Sequence, residues 1–283
     1  MLGKSWRIRL ITHGVLLLGI LIVAFPIYMT FVASSHTMGE IMNVPMPAVP
    51  GTHLVDNYWR AIVEGPATGG QIGPVGRMLF NSLVMALGIT IGKIAISILS
   101  AYAIVYFDFP FRMGFFWMIF ITLMLPVEVR IIPTYQVIAS LHMLDSYSGL
   151  ILPLIASATA TFLFRQFFLT VPEEVFHAAR IDGAGPLRFF WDILLPLSRT
   201  NIAALFVILF IYGWNQYLWP LLITTHQNMY TVLIGINRML AVGDEQADWP
   251  VIMATAMLAM LPPVIVVVLM QRYFVKGLTE TEK

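Results

Sequence analysis

The sequence predicts an all-α integral membrane protein with six transmembrane helices, and two observations carry that fold class. The chain is 59% hydrophobic and only 11% charged, with a mean hydropathy of +0.83, whereas soluble domains carry roughly 25% charged residues. The apolar residues are also gathered into six runs, each close to or above the roughly 20 residues a helix needs to cross a hydrocarbon core. A net charge of +1 argues against a nucleic-acid partner. The absence of cysteine excludes disulfides, thiol catalysis and thiolate-held metals. The six histidines are scattered, without the spacing of a metal site such as H-E-x-x-H.

Taken in order, a short N-terminal segment, 1–11, precedes the first helix at 12–34. Lys4, Arg7 and Arg9 ahead of it resemble the start of a signal peptide, and Val32-Ala33-Ser34 offers small residues for cleavage. The apolar stretch is longer than the usual h-region of roughly 7–15 residues, so it reads as a retained anchor with its N-terminus inside. The loop 35–76 is punctuated by Pro45, Pro47, Pro50, Pro66 and Pro74 with Gly65, Gly69, Gly70 and Gly73, around a short helix at Val55–Val63. A core, 77–272, holds five further runs at about 78–106, 113–139, 147–169, 200–223 and 250–272, and 273–283 is a tail. The second and third runs exceed the bilayer's need, which implies tilt or extension beyond it.

Lysine and arginine set the orientation. With the N-terminus inside, the inner segments hold Lys4, Arg7, Arg9, Arg112, Arg180, Arg188, Arg199, Arg272, Lys276 and Lys283, and the outer ones only Arg60, Arg77 and Arg238. Both termini and the loop 170–199 are thereby expected in the cytoplasm. The outer segment 224–249 ends in Asp244, Glu245 and Asp248. With 35–76, it is either a contact for an extracytoplasmic partner or a solvated connector.

Segment 170–199 is a polar island between two apolar runs. Thr170-x-x-Glu173 reads as a capping box with Pro172 in the first turn, starting a helix that runs to about Ile181. Glu173 and Glu174 suit the positive end of its dipole and Arg180 the negative end. Asp182-Gly183 breaks it. A second helix is expected from near Pro186 to just before Pro196, with Leu187, Phe190, Ile193 and Leu194 on one apolar face. Small Ala178 and Ala179 let a partner backbone approach, and Gly183 permits a turn that a side chain would obstruct. From these residues alone the segment is either a docking knob or an amphipathic hairpin lying on the membrane.

Ala178-Ala179, three residues, Gly183, nine residues, then Ile193-x-Leu195-Pro196 resembles the cytoplasmic coupling loop of bacterial ABC importer permeases. That family has a Glu where this chain has His177, and a neutral or partly protonated imidazole changes the charge at that position. Trp214-Asn215-Gln216-Tyr217-Leu218-Trp219-Pro220, Asp56-Asn57-Tyr58 and Gln271–Leu278 resemble signatures of the carbohydrate-uptake subfamily. Met124–Arg130 and Ser157–Gln166 resemble, more narrowly, its sn-glycerol-3-phosphate permeases of the E type. The resemblance implies a type I ABC importer permease in a bacterial inner membrane, with His177, Ala178, Ala179, Asp182, Gly183, Ile193, Leu195 and Pro196 forming the ATPase-coupling loop. It implies a second, non-identical permease, two copies of an ATP-binding subunit and a periplasmic binding protein as partners. This chain would then bind no cofactor and catalyse nothing, ATP and Mg residing on the ATPase. The implied substrate is sn-glycerol-3-phosphate or a glycerophosphodiester, with a sugar or oligosaccharide as the alternative.

The residues agree that the ATP site is elsewhere. A phosphate-binding G-x-x-x-x-G-K-[ST] loop is absent. Gly3-Lys4-Ser5 lacks the upstream glycine, and Gly88-x3-Gly92-Lys93 has the wrong spacing and reads better as a small-x3-small packing face. Lys93, Glu128 and Arg130 lie within membrane runs, where each charge costs about 2.5–3.5 kcal/mol. They either attract a phosphate along a translocation path or pair structurally. Asn81, Asn215 and Gln216 are further path candidates whose other role is interhelical hydrogen bonding. Trp214 and Trp219 read as interfacial anchors or as stacking surfaces for a polyol. A secondary transporter would show an inverted repeat, and none is evident. An intramembrane enzyme would show a catalytic pair at motif spacing, and a receptor subunit would not need the coupling loop.

Overall fold

The computed structural model describes residues 6–66, 72–122, 127–241 and 247–279, the side chains of 7, 127, 128 and 272–279 excepted. Among the described residues every regular element is helical. In chain order these are α1 (Trp6–Ser34), α2 (Met38–Ile41), α3 (Leu54–Trp59), α4 (Val75–Tyr106), α5 (Arg112–Ile121), α6 (Val127–Ser140), α7 (Tyr147–Ile151), α8 (Ala158–Thr170), α9 (Glu173–Ile181), α10 (Pro186–Phe189), α11 (Leu195–Leu197), α12 (Arg199–Trp214), α13 (Leu218–Ile223), α14 (Val232–Leu240) and α15 (Trp249–Thr279).

Three helices are long and apolar enough to cross a bilayer alone: Ile8–Ser34, Val75–Tyr106 and Trp249–Gln271. The other expected spans are interrupted. Run four breaks between Leu154 and Ala158 with a bend of 49°, where Pro153 sits in a 3-10 turn and the Ser157 hydroxyl caps α8 by accepting the Ala160 N–H at 3.2 Å. Run five ends as α12 at Trp214 and resumes as α13 at Leu218. Run three is divided between α5 and α6, and Met124-Leu125-Pro126 lie outside the described residues.

The chain forms two compact units, 1–79 with 234–261 and 80–233 with 262–283. In the first, α1 is exposed on every side until Tyr28, so lipid or another subunit must cover it. The loop after it is tied down rather than free. The buried Asn57 side chain donates to the carbonyls of Ser34 at 3.0 Å and His36 at 2.9 Å, and Tyr28 reaches the Ala48 carbonyl at 2.8 Å. The helix expected at 55–63 is α3 continued by a π-helical turn, Arg60–Glu64. Asp248 pairs with Arg60 at 2.5 Å with only 10% of its side chain exposed, so this member of the acidic segment is a structural clasp. Asp244 and Glu245 lie outside the described residues. The backbone N–H of Thr37, its hydroxyl and the His36 ring hold the Glu40 carboxyl down at about 2.

In the second unit α4 is the central column. A Cβ added at Gly88 would meet Ile151 at 2.6 Å, and one at Gly92 would meet Ile155 at 2.5 Å. The two glycines therefore seat the segment between α7 and α8 against α4. On another side, Gly213 of α12 brings its backbone against Ala86. Two apolar clusters lie along the column. One gathers Met85, Ile89, Leu150, Leu154, Trp219 and Ile223; the other gathers Ile98, Tyr102, Phe164, Phe168, Phe189, Phe190 and Leu194. Trp214 and Trp219 are each 3% exposed, and the Trp219 Nε1–H donates to the Gly149 carbonyl at 3.1 Å. Both are core residues, which corrects the reading of them as anchors or stacking surfaces.

Candidate functional site

The loop 170–199 folds as two short helices around Gly183. α9 has no side-chain cap: its N-cap is Pro172. Thr170 instead donates backwards to the Phe167 carbonyl at 2.7 Å, so the expected capping box does not form and Thr170 closes α8. The acidic first turn and Arg180 in the last turn stand as expected for the dipole. Gly183 has φ of 75°. Its N–H donates to the Arg180 carbonyl at 3.1 Å and the Ala184 N–H to the Ala179 carbonyl at 2.8 Å, the paired closure of a Schellman turn. Left-handed backbone, rather than crowding, demands glycine here, because a Cβ at Gly183 would meet nothing within 4 Å.

The second half departs from expectation at its end. α10 passes through a π-helical turn, Phe190–Leu194, into α11 and so continues past Pro196. The Leu195 N–H reaches back to the Phe190 carbonyl, and this wider turn precedes the proline, which has no N–H to place. The buried face also differs. Leu187 is 75% exposed, whereas Phe189, Phe190 and Leu194 are buried. The hairpin rests on an aromatic cushion in which Phe189 packs against Tyr106 at 5.2 Å and Phe176 at 5.1 Å between ring centroids. Tyr102 ties the loop to α4 by donating to the Pro186 carbonyl at 2.9 Å. A hollow of about 460 Å³ lies between cushion and loop.

The motif residues divide by exposure. His177, Ala178, Asp182 and Gly183 are exposed, with Ile181, Leu187 and Trp191 beside them, while Ala179 is buried in the cushion. Ile193, Leu195 and Pro196 are half-buried, the last two lining a second hollow of about 430 Å³ with Trp191 and Arg199. The hairpin thus presents an apolar and polar face while its other face is packed into its own unit.

The polar candidates inside the runs also separate. Asn81 is fully buried. Its amide donates to the carbonyls of Asn228 at 2.8 Å and Tyr230 at 3.0 Å, and its carbonyl accepts the Tyr147 hydroxyl at 2.6 Å. Lys93 is 7% exposed, and its Nζ stands 3.7 Å from the centre of the Tyr212 ring. Arg130 is exposed and near enough for its charge to act on Lys93 and on Tyr212. Gln216 donates to the Tyr212 carbonyl at 3.1 Å, and Asn215 is exposed at the end of α12. The structure therefore gathers Lys93, Arg130 and Gln216 around Tyr212 and ties Asn81 elsewhere. The side chain of Glu128 lies outside the described residues.

Sequence reasoning missed Tyr212, the aromatic cushion and Asp145. A phenol inside an apolar run was the available signal for Tyr212. Asp145 accepts the N–H groups of Thr225 at 2.6 Å and His226 at 2.8 Å and the Thr225 hydroxyl at 2.6 Å. Burial pushes its carboxyl up, but these donors prevail and hold it below the usual value.

Comparison with known proteins decides the family. Residues 70–280 match the model of the binding-protein-dependent transport system inner membrane component. The chain belongs to this family. Among its relatives, an sn-glycerol-3-phosphate transport system permease protein UgpE of Agrobacterium fabrum is 66% identical over 275 residues, 97% of each chain. Its namesakes in Rhizobium meliloti and Yersinia enterocolitica are 63% identical over the whole of each chain and 59% identical over 96% of each. A crystallised bacterial ABC transporter that imports the acidic polysaccharide alginate matches with a TM-score of 0.81 over 97% of this chain and 99% of its own. At 20% identity that match speaks for the fold. This family member is a multi-pass inner-membrane protein with the fold of an ABC transporter permease.

Proposed function

We propose that this chain is one permease subunit of an ATP-driven importer of sn-glycerol-3-phosphate, and that segment 170–199 is its docking loop for the ATPase. The observation that carries the substrate is the 66% identity to a permease of that name along 97% of both chains. The observation that supports the loop is its build: a hairpin packed on one face through Phe176 and Phe189 against Tyr106 and exposed on the other at His177, Ala178, Ile181 and Gly183.

In this reading both termini and the loop face the cytoplasm, as the lysine and arginine bias supports. The chain works with a second, non-identical permease, two copies of an ATP-binding subunit and a periplasmic binding protein. ATP and Mg are held by the ATPase, and this chain performs no chemistry. ATP binding draws the docking loops together and moves the permease between outward- and inward-open states, each stabilised by its own contacts. Radiolabelled uptake in cells expressing the chain with these partners tests it. Glycerol-3-phosphate uptake is expected, and Gly183→Asp is expected to abolish it at unchanged membrane levels. Persistence of uptake in the variant would sink the docking assignment, and uptake of maltose alone would replace the substrate.

A further inference from the structure

Lys93 occupies an unusual place. It lies 13 positions before the end of α4 at Tyr106 and 18 after its start at Val75, about 20 Å and 27 Å of helix rise. It separates the two apolar clusters of the column, with Ile89 in one and Ile98 in the other. Its ammonium is covered by the Tyr212 ring, which offers a π face in place of water without neutralising the charge. Among the described residues no carboxylate pairs with Lys93 or with Arg130, whose charge reaches both Lys93 and Tyr212. Two cations within electrostatic reach of each other repel, and a bound anion relieves that cost. Arg130 and Asn215 are exposed, and Tyr212 and Gln216 are half-buried, so one side of this group is open to a ligand.

We propose that Lys93, Arg130 and the Tyr212 ring form a recognition point for the phosphate monoester of the substrate on the translocation path. This rests on the transport reading above. Arg130, on the open side, offers a planar fork for two phosphate oxygens. Lys93, held behind Tyr212, supplies a second positive charge. The pair selects a dianion over a monoanion: a phosphate monoester carries close to two charges near neutral pH, its second pKa being about 6, whereas a phosphodiester carries one. Tyr212 acts through its ring and is a positioning residue for the Lys93 ammonium.

The test uses the assembled transporter with its partners, reconstituted in proteoliposomes at pH 7.5, and measures initial uptake of sn-glycerol-3-phosphate and of glycerophosphocholine. Lys93→Gln and Arg130→Gln are each expected to lower kcat/KM for the monoester about tenfold to a hundredfold, the scale of a lost hydrogen bond to a charged group, and to lower it much less for the diester. Lys93→Arg should restore discrimination. Tyr212→Phe should retain it, and Tyr212→Leu should weaken it. Inorganic phosphate should compete in the wild type and lose its effect in both Gln variants. Copurification of the ATPase checks assembly of each variant. Equal losses for the two substrates, or a Glu128→Gln variant that reproduces the Lys93→Gln behaviour, would overturn the proposal in favour of a structural ion pair. A wild-type complex that carries the diester and not the monoester would defeat the substrate reading, and this recognition point with it.

Discussion

The hairpin at 170–199 and the polar side chains Lys93 and Asn81 of α4 both place polar groups where burial is costly, and they meet that cost in different ways. In the hairpin the orphan groups at the end of α9 are closed by backbone alone, through the bonds of Gly183 and Ala184 to Arg180 and Ala179. The residues above that turn stay exposed. For Lys93 and for Asn81 no local backbone device serves. Lys93 meets the Tyr212 ring and Asn81 spans to Asn228, Tyr230 and Tyr147, each across more than 60 residues of sequence. A local solution leaves a motif with fixed spacing, and a long-range one leaves isolated polar letters.

That contrast can be tested by stability and transport together. The largest effect is expected at Asn81, since Asn81→Leu strands two buried carbonyls and the Tyr147 hydroxyl. It should destabilise the chain by about 2–4 kcal/mol, read as a large fall in Tm of the detergent-solubilised protein. A Tm within error of wild type would mean that water satisfies those groups. Next, Gly92→Leu drives a side chain into Ile155 and should cost about 1–3 kcal/mol. Thermal unfolding checks this, and an unchanged Tm would show that the segment between α7 and α8 yields freely.

Gly183→Val should cost about 1–2 kcal/mol from left-handed strain alone, with Gly183→Asn milder because Asn tolerates that backbone. Uptake assays should rank them in the same order. Equal loss with both would shift the explanation from backbone geometry to partner contact. The smallest effect concerns Asp145. Its carboxyl titrates below its ordinary 3.8 in the folded chain, so its stabilisation is complete above that pH and is lost as pH falls through the lowered value. The Tm difference between wild type and Asp145→Asn should be constant from pH 7 to pH 5 and shrink below about pH 4. A difference that grows on acidification would reverse the sign and refute the clasp.

Much of this was legible in the chain. Apolar runs of sufficient length gave the helices, and Gly88-x3-Gly92 announced a close helix contact that Ile151 and Ile155 fill. Asp182-Gly183 announced the turn. The errors lay where neighbours outweigh local pattern. The Thr170 hydroxyl had two acceptable bonds, and because α9 takes Pro172 as its N-cap, Thr170 lies too early to cap it and bonds backward. Pro196 looked like a helix stop until the π-helical turn before it accommodated the ring. Leu187 fitted the apolar spacing, but Phe189 filled the space over Tyr106.

The sequence by itself determined the membrane class, the positions of the runs and the turn at Asp182-Gly183, because hydropathy and glycine backbone are properties of adjacent residues. Only the tertiary structure decided that Lys93 lies under Tyr212, that Asn81 is a clamp, and that Asp145 and Asp248 are clasps. Those outcomes depend on which helices meet, and a polar side chain takes its role from the partner that replaces its water.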